Sequence, residues 1–475
     1  MTANTSSVRV VVIGAGPGGY AAAFLAADLG LEVALVDPEA NPGGVCSYRG
    51  CIPSKALLHV ARVISEAREA TDWGVRFDQP QINTKKMQTW KDNIVKTLTS
   101  GLGQLTRHRK VKYIRGTAKF LDSHTLEIRA HGGEATTLSF EHAIIATGSR
   151  PAAVPTLDIE SPRVLDSTRA LQLDSVPDTL LVVGGGYIGL ELGTVFATLG
   201  SRVSMVEMMQ TLLPGVDKDL VAVLHRRVEK LFSSILLNTT VANIQEDKDG
   251  VRVRLTDKGS ESREMLFDQV LVSVGRTPNS NDLGLENTRV QCDQRGFITV
   301  DATRRTDDPS IFAVGDVCGE PMLAHKASHE GRVAAEVIAG KNAVFEPRAI
   351  PAVVFTDPEI AWCGLTESRA RAEHRDVAVA KFPWGASGRA RTLGRNDGFT
   401  KWIVDPSTEQ VLGLGIVGPG AGELIAEGVL AIEMSAVLSD VKLSIHPHPT
   451  LSETLMESAE IFYGQSTHVY RPKRQ

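Results

Sequence analysis

The hydrophobic and polar positions of the N-terminal segment follow two successive patterns. Residues 8–13 form an apolar, β-branched run interrupted only by Arg9, which predicts a strand buried in a parallel sheet. After a glycine-rich turn, the alanine-rich stretch 20–29 predicts a helix, and the apolar run 32–36 predicts a second strand. The order strand, helix, strand is typical of an α/β fold with a parallel sheet.

The same pattern recurs farther along the chain. Residues 179–183 and 201–206 are mainly apolar runs that predict strands, and the stretch between them, ending at Leu199, predicts a helix. This double unit is the only internal repeat, and the sequence contains no low-complexity tract. The predicted fold class is therefore α/β, with two Rossmann-like dinucleotide-binding domains.

Each unit carries a G-x-G-x-x-G turn between its first strand and its helix, at residues 14–19 and 184–189. In this setting the glycines allow a tight turn and let a pyrophosphate approach the helix N-terminus. The second strands lead into Asp37 and Glu207, which can accept a hydrogen bond from a ribose hydroxyl. Glycines alone often mark plain turns, but strand, helix and acid together favour nucleotide binding. Two dinucleotides imply electron transfer between cofactors, and Glu207 favours NAD over NADP, whose 2′-phosphate calls for an arginine.

Two of the five cysteines, Cys46 and Cys51, lie five positions apart beside glycines and a proline. On a regular helix this spacing is about 7.5 Å of axial rise, beyond the Cα separation of about 7 Å that a disulfide tolerates. A bridge between them requires distorted backbone, for which Gly50 and Pro53 are the candidates, and such a bridge is easily reduced. A zinc site would need a second close pair of ligands, and a structural disulfide suits small secreted domains. The pair is therefore predicted to be redox-active.

Composition narrows the class of protein. A chain of 475 residues predicts about three domains, and 42% hydrophobic with 23% charged residues is typical of globular proteins. The net charge of −5 provides no field that favours nucleic acid or an anionic membrane. No apolar run is long enough to span a bilayer, and the polar start of the chain shows no export signal. We therefore expect a cytoplasmic protein without nucleic-acid or membrane partners.

Further motifs extend along the whole chain. They are Ala146-Thr147-Gly148, residues 274–279, Val314-Gly315-Asp316, residues 322–326, residues 417–425 and residues 446–453. With the glycine turns and the cysteine pair, they make the chain resemble, end to end, the dihydrolipoamide dehydrogenases, a branch of the FAD-dependent pyridine nucleotide–disulfide oxidoreductases. The resemblance implies FAD and NAD as cofactors, no metal, and a C-terminal α+β dimerisation domain.

The resemblance also implies residues for each cofactor. For FAD they are Gly14, Gly16, Gly18, Gly19, Asp37, Gly44, Val45, Cys46, Lys55, Ala118, Thr147, Gly148, Asp316, Met322, Leu323, Ala324 and His325. For NAD they are Gly184, Gly186, Tyr187, Ile188, Glu191, Glu207, Val241, Gly275 and Arg276. By the same resemblance, Asp316 would bind the ribityl chain, and Tyr187 would cover the nicotinamide side of the flavin when NAD is absent.

The implied catalytic residues are Cys46, Cys51, His448, Glu453, Lys55 and Glu191. In this scheme His448 removes a proton from reduced lipoamide, and the thiolate attacks the disulfide at Cys46. The Cys51 thiolate then passes electrons to FAD, and NAD+ is reduced. Lys55 and Glu191 would pair near the flavin, although two unrelated surface charges are the plain alternative.

The histidine motif has a simpler interpretation as well. His448 stands between Pro447 and Pro449, which favours extended backbone, and Thr450 to Glu453 is a capping-box pattern before a helix. From these residues alone, an ordered loop followed by a helix cap is favoured. The resemblance instead implies that His448 is the acid–base group and that Glu453 orients it.

The implied domains are residues 1–150 for FAD, 151–280 for NAD, 281–350 for a return to the FAD region and 351–475 for the interface domain. We expect a two-fold homodimer in which His448 of one chain completes the site of the other. The expected partners are the lipoyl domains of dihydrolipoyl acyltransferases or the glycine cleavage H protein.

The sequence departs from the family pattern at two places. Asp37 replaces a longer glutamate, and Ser47-Tyr48-Arg49 replaces the more usual Leu-Asn-Val between the cysteines. The alternatives are a glutathione-type reductase, which Glu207 disfavours, a mercuric reductase, which would need a second cysteine pair near the C-terminus, and a non-catalytic flavoprotein subunit.

Overall fold

The structure is a computed structural model that describes residues 6–130, 133, 135–257, 259 and 262–470. It is a mixed α/β protein with two nucleotide-binding folds followed by an antiparallel sheet covered by helices. None of the helices in these ranges is both long and apolar enough to cross a membrane.

The first nucleotide-binding fold is built on a sheet whose central strands are parallel. Its elements are β1 (Ser6–Ile13), α1 (Pro17–Asp28), β2 (Val33–Asp37), α2 (Gly44–Arg49), α3 (Cys51–Glu69), α4 (Thr84–His108), β3 (Lys112–Asp122), β4 (Thr125–Ala130) and β5 (Ala135–Ile145). β1 lies between β2 and β5 and is parallel to both. Its valines at positions 10, 11 and 12 are fully buried, as expected for a strand covered on both faces.

The second fold repeats this arrangement with a shorter sheet. Its elements are β6 (Ser149–Pro151), β7 (Val164–Leu165), α5 (Ser167–Ala170), β8 (Thr179–Val183), α6 (Tyr187–Leu199), β9 (Arg202–Glu207), α7 (Lys218–Leu231), β10 (Ser234–Leu237), β11 (Thr239–Asp247), β12 (Gly250–Asp257), β13 (Ser262–Phe267), β14 (Gln269–Val272) and β15 (Arg276–Pro278). The parallel sheet has the order β10-β9-β8-β14-β7, and β11, β12 and β13 form a separate antiparallel sheet. β6 pairs with β15 at the two ends of this fold.

After β15 the chain returns to the first sheet. The returning elements are β16 (Ile311–Ala313), parallel to β5, and α8 (Ala324–Ile338). α8 packs so closely on α1 that a side chain at Gly331 would come within 2.3 Å of the Gly18 carbonyl oxygen. Residues far apart in sequence therefore complete the first nucleotide-binding fold.

The C-terminal part is an antiparallel sheet with helices on it. Its elements are β17 (Ala352–Val354), β18 (Ile360–Gly364), α9 (Glu367–Ala372), β19 (Ala378–Pro383), α10 (Gly388–Thr392), β20 (Phe399–Val404), β21 (Val411–Val417), α11 (Ala421–Glu433), α12 (Leu438–Leu443) and α13 (Glu453–Phe462). The strand order is β17-β18-β21-β20-β19, and α11 and α13 pack on it around the buried Trp384 and Trp402.

The predicted strands and helices of both repeats are present, with shifted ends. α1 begins at Pro17 rather than at residue 20, because proline fits the first turn of a helix, where its missing N–H has no partner. β8 spans the predicted residues 179–183, whereas β9 begins and ends one residue later than predicted.

Candidate active site

Cys46 and Cys51 lie on two helices that meet at Gly50. α2 ends before it and α3 begins after it, and Gly50 has φ −143° and ψ −113°, outside the helical region. A side chain at this position would come within 2.9 Å of the Val45 carbonyl oxygen. The break brings the side chains of the two free cysteines into hydrogen-bond contact. The distortion predicted from their spacing is confirmed at Gly50.

Pro53, the other residue expected to permit distortion, lies within regular helix. It is the third residue of α3, and the Ser54 N–H already donates to the Gly50 carbonyl oxygen at 3.1 Å. Proline fits there because N–H groups of the first turn lack partners within the helix. Glycine alone therefore accounts for the break.

The two thiols have opposite electrostatic environments. The hydrogen bond from Cys46, helped by the charge of Lys55, lowers the pKa of Cys51 to about 7, although burial opposes it. The same bond, together with burial, raises the pKa of Cys46. In the reduced pair near neutral pH, the negative charge therefore lies on Cys51.

Lys55 and Glu191 form an ion pair between the two nucleotide-binding folds. Lys55 Nζ lies 2.8 Å from Glu191 Oε2 and 4.5 Å from the centre of the Phe355 ring. The Phe355 N–H donates to Glu191 Oε1 at 3.1 Å, and Glu191 is only 3% exposed. The two charges are therefore not unrelated surface groups, and three segments of the chain hold them together.

One cavity of about 820 Å3 contains the cysteine pair, Lys55 and Glu191. Of the residues predicted for FAD, its lining includes Gly14, Gly16, Gly18, Asp37, Gly44, Val45, Cys46, Lys55, Ala118, Thr147, Gly148, Asp316, Met322 and Ala324. Of the residues predicted for NAD, it includes Tyr187, Ile188, Glu191 and Arg276. A single space thus connects the first glycine turn, the thiols and the start of α6.

The other predicted cofactor residues lie outside this lining. They are Gly19, Leu323 and His325 for FAD, and Gly184, Gly186, Glu207, Val241 and Gly275 for NAD. Gly19 packs inward, because a side chain there would lie 1.8 Å from the Gly14 carbonyl oxygen. The His325 ring contacts the Pro351 carbonyl oxygen at 2.8 Å, and Val241 belongs to β11 in the separate antiparallel sheet.

The two acids at the ends of β2 and β9 bind their own glycine turns. Asp37 Oδ2 accepts the Ala15 N–H at 2.7 Å and its Oδ1 accepts the Glu39 N–H at 2.9 Å. Glu207 Oε2 accepts the Gly185 N–H, and its Oε1 accepts the Met209 N–H, both at 2.7 Å. Each carboxylate therefore shapes the loop that it was predicted to serve, and each oxygen keeps a second lone pair for a ribose hydroxyl.

The helix N-termini beside these turns fit a pyrophosphate. Gly16 and Gly186 are the N-cap residues of α1 and α6, and neither helix has a side-chain cap. A side chain at Gly186 would meet nothing within 4 Å, and one at Gly16 would find its nearest neighbour, Gly44, at 3.9 Å. Free N–H groups facing open space suit a phosphate ligand.

The histidine loop lies between α12 and α13. His448 Nδ1 contacts Glu453 Oε1 at 2.8 Å, while Glu453 Oε2 accepts the Thr450 N–H at 2.8 Å. Glu453 thus contacts the histidine with one oxygen and the Thr450 N–H with the other. The predicted capping box is wrong, because Glu453 is itself the first residue of α13, whose N-cap is Ser452 and which has no side-chain cap. Burial opposes the effect, but the Thr450 N–H and the His448 ring lower the pKa of Glu453. The His448 side chain is 72% exposed and does not line the cavity of its own chain.

Several contacting residues were not found from the sequence. No sequence motif marks Phe355, because it is far from Lys55 in the sequence and contacts it only in the folded chain. His446 lies in the histidine motif, yet only His448 was given a role there, and its contact with Glu427 on α11 is visible only in the structure. Arg49 forms an ion pair with Glu39, and both residues line the cavity. This contact gives Arg49 a structural partner but no role in the reaction.

One cluster of acidic residues is compact enough to be considered as a metal site, although no metal was predicted. Within the described ranges, Asp217, Asp219 and Glu367 form the only group of three side chains close enough to share an ion. Lys401 Nζ lies 2.8, 2.7 and 2.6 Å from their respective oxygens, and this lysine is fully buried. The cluster is thus an ion-pair network between α7 and the C-terminal sheet.

Comparison with known families identifies the family of this chain. Residues 8–331 match the family described as pyridine nucleotide-disulphide oxidoreductase, and residues 350–459 match its dimerisation domain. The chain belongs to the pyridine nucleotide-disulphide oxidoreductase family. As a member of this family with a dimerisation domain, the protein is a homodimer.

Curated relatives match this chain over nearly its whole length. A dihydrolipoyl dehydrogenase of Vibrio parahaemolyticus is 47% identical over 465 residues, covering 98% of each chain. That of Haemophilus influenzae is 48% identical, covering 98% of this chain and 97% of the relative. Among solved structures, LpdA from Mycobacterium tuberculosis superposes with a TM-score of 0.89 at 27% identity, covering 96% of this chain and 99% of that one. The HOCl-induced flavoprotein disulfide reductase RclA from Escherichia coli gives a TM-score of 0.84 at 29% identity, covering 94% and 98%.

Proposed function

We propose that this protein is an NAD-dependent dihydrolipoyl dehydrogenase with FAD as its bound cofactor. The observation that carries the proposal is the Cys46–Cys51 pair, polarised toward Cys51, in a cavity that also reaches the first glycine turn and α6. Full-length similarity to dihydrolipoyl dehydrogenases supports the choice of substrate. It oxidises dihydrolipoamide to lipoamide and reduces NAD+ to NADH.

The chain's own residues carry out two thiol–disulfide exchanges. His448 takes the proton of one dihydrolipoamide thiol, and the thiolate attacks Cys46 of the oxidised pair, releasing Cys51 as a thiolate. The second lipoyl thiol then attacks the first lipoyl sulfur, which forms lipoamide and expels Cys46 as a thiolate that takes up the proton of the second thiol. Cys51 suits the role of leaving group because its pKa is lowered to about 7. FAD, when bound, accepts the electron pair from the dithiol and supplies it as hydride to NAD+.

The other proposed site residues supply charge beside the thiols or hold reacting groups and cofactors in position. Lys55 keeps a positive charge beside Cys51, and Glu191 fixes the position of Lys55. Glu453 holds Nδ1 of His448, which leaves Nε2 for proton transfer. Gly14, Gly16 and Asp37 would hold FAD, and Tyr187 with Arg276 would lie on the NAD side of the cavity.

The proposal places His448 in the active site of the partner subunit. This rests on its exposed side chain and on its distance in the chain from a cavity that it does not line. Mixing Cys46→Ser with His448→Gln subunits tests it, because each mixed dimer would regain one intact site. We expect about half of wild-type activity per mixed dimer. Exchange shown by mass without recovered activity would mean that the site lies within one chain.

The proposed substrate carriers are lipoyl domains of dihydrolipoyl acyltransferases or the glycine cleavage H protein, in the cytoplasm. Val45, which lines the cavity beside Cys46, is 38% exposed, and this suits a substrate arriving on a long flexible arm. Kinetics with isolated lipoyl domains of each kind would rank them. We also propose the domain bounds 1–150, 151–280, 281–350 and 351–475, which limited proteolysis tests.

The direct test of function is steady-state reduction of NAD+ by dihydrolipoamide, set against reduction of glutathione disulfide by NADPH. We expect the first reaction only, with its loss in Cys46→Ser and Cys51→Ser. Turnover with NADPH and glutathione disulfide would favour a glutathione-type reductase, and no turnover with either would favour a non-catalytic subunit.

A further inference from the structure

The loop between α12 and α13 contains a second histidine in a different environment. The side chain of His446 is only 7% exposed, whereas that of His448 is 72% exposed. Its neighbour Ile445 is 97% exposed and Leu443 is 74% exposed, so neither anchors the loop within this chain. His446 is therefore the buried attachment point just before the proposed base.

Both ring nitrogens of His446 face groups that can only accept hydrogen bonds. Nδ1 lies 2.9 Å from the Ser444 carbonyl oxygen, and Nε2 lies 2.9 Å from Glu427 Oε1 on α11. A neutral imidazole has one N–H and leaves one of these contacts without a hydrogen, whereas an imidazolium donates to both. The geometry thus selects the positively charged ring.

The surrounding charges agree with this protonation state. The hydrogen bond that His446 donates to Glu427 is the main cause that raises the pKa of His446, against burial, and Glu453 at the start of α13 adds to it. On α12, the carboxylate of Asp440 accepts the Val437 N–H, and Lys442 contacts Gln465. The charges that face the ring are therefore both acidic.

We propose that His446 is a positioning residue whose imidazolium fastens the histidine loop to α11 and so holds His448 in place for proton transfer. Only Pro447 separates the two histidines, and the Pro447 carbonyl oxygen accepts the Thr450 hydroxyl at 2.7 Å. The segment is thus held by α11 through His446 and by α13 through the contact of His448 with Glu453. This inference rests on the proposed function, because it concerns the thiol half-reaction.

The clamp has a defined pH dependence. Since the folded pKa of His446 is raised, the clamp is complete below the ordinary histidine pKa and is lost as pH rises through the raised value. Turnover with dihydrolipoamide should therefore fall on the alkaline side as the loop is released. Oxidation of NADH by ferricyanide, which takes electrons from the flavin without thiol exchange, should show no such limb.

The test compares Glu427→Gln with wild type. The amide keeps the shape of the side chain and removes the charge, and Glu423→Gln, an exposed acid one turn earlier on α11, is the matched control. We expect the alkaline midpoint to fall by about one pH unit and dihydrolipoamide turnover to fall about tenfold at pH values above both midpoints. FAD content, ferricyanide activity and the control should match wild type.

An unchanged alkaline midpoint in Glu427→Gln, with normal FAD content, would overturn the proposal. The pKa of His446, followed by NMR in protein with labelled histidine, provides a readout independent of turnover and must fall in the same variant. If wild type fails to oxidise dihydrolipoamide, the proposed function fails, and the NMR titration still decides whether His446 is held as an imidazolium. A titration at the ordinary value in both proteins would contradict the clamp.

Discussion

The two nucleotide-binding folds use the same local device and differ in what covers it. In each, the first glycine has positive φ, +96° at Gly14 and +107° at Gly184. A carboxylate from the second strand accepts one N–H of the glycine turn and one N–H of the loop that follows its own strand. At the first turn, Gly44 of α2 packs so closely that a side chain there would lie 2.4 Å from the Gly16 Cα atom. At the second turn, the space beside Gly186 is open.

This difference separates a retained cofactor from an exchanged one. The redox helix α2 packs against the first turn, so we expect a nucleotide bound there to contact the helix that carries Cys46 and to leave slowly. Nothing in the described residues lies within 4 Å of a side chain at Gly186, so we expect a nucleotide bound there to enter and leave in each catalytic cycle. We therefore expect the same sequence motif to serve two kinetic roles, with the covering element deciding which.

The largest expected effect comes from breaking the closure of the first turn with Gly44→Ala. Its φ of +57° disfavours any other residue, at a cost of about 1–3 kcal/mol, and the added methyl group overlaps the backbone of Gly16. We expect purified protein that has lost most of its FAD, measured by visible absorbance and by thermal melting.

Gly186→Ala is the matched variant at the second turn. The methyl group enters space that the structure leaves open, so FAD content should match wild type. The KM for NAD+ should rise about tenfold, which is about 1.4 kcal/mol, because the methyl group blocks approach of the pyrophosphate. FAD loss in Gly186→Ala equal to that in Gly44→Ala would show that the covering helix is not what distinguishes the turns.

Substitution of the turn carboxylates sharpens the comparison. Glu207→Gln keeps the size of the side chain but weakens two charge-assisted hydrogen bonds, each contributing about 1.5–3 kcal/mol. The KM for NAD+ should rise at least tenfold with FAD content unchanged, whereas Asp37→Asn should weaken FAD retention. In a second variant, Glu207→Arg, the preference for NAD+ over NADP+ should fall. An unchanged preference would show that Glu207 does not contact the ribose.

The sequence predicted these turns because their chemistry is local. A glycine turn, its flanking strand and helix, and an acid at the next strand end fall within one short segment, so pattern and composition suffice. Contacts between distant segments could not be predicted in this way. Lys55 and Glu191 are 136 positions apart, and only the resemblance to a family suggested their pairing. The contacts of Phe355 with that pair and of Glu427 with His446 depend on how separate parts of the chain pack, and no local pattern marks them.

A smaller effect is expected from Lys55→Met on the ionisation of the reduced cysteine pair. The Cys51 thiolate, with a pKa of about 7, is present above that pH and is lost as pH falls through it. Removing the charge of Lys55 should raise the midpoint by about one pH unit. Thiolate absorbance in the ultraviolet measures this, with Cys51→Ser as the control that shows no step near pH 7. An unchanged midpoint in Lys55→Met would show that the hydrogen bond from Cys46 alone lowers the pKa of Cys51.

The smallest effect is expected from Arg49→Ala. Its ion pair with Glu39 lies at the partly exposed edge of the cavity, where such pairs contribute about 0–1 kcal/mol. Thermal stability and FAD content should stay close to wild type. A large loss of FAD would show that this departure from the family pattern helps to close the first turn.

Retention of the two nucleotides tests the central claim most directly. The purified protein is incubated with excess FAD and NAD+, passed rapidly through a desalting column and analysed for bound nucleotide. The closed first turn and the open second turn predict one FAD per chain and no retained NAD+. Loss of both nucleotides, or retention of both in equal amounts, would contradict the account.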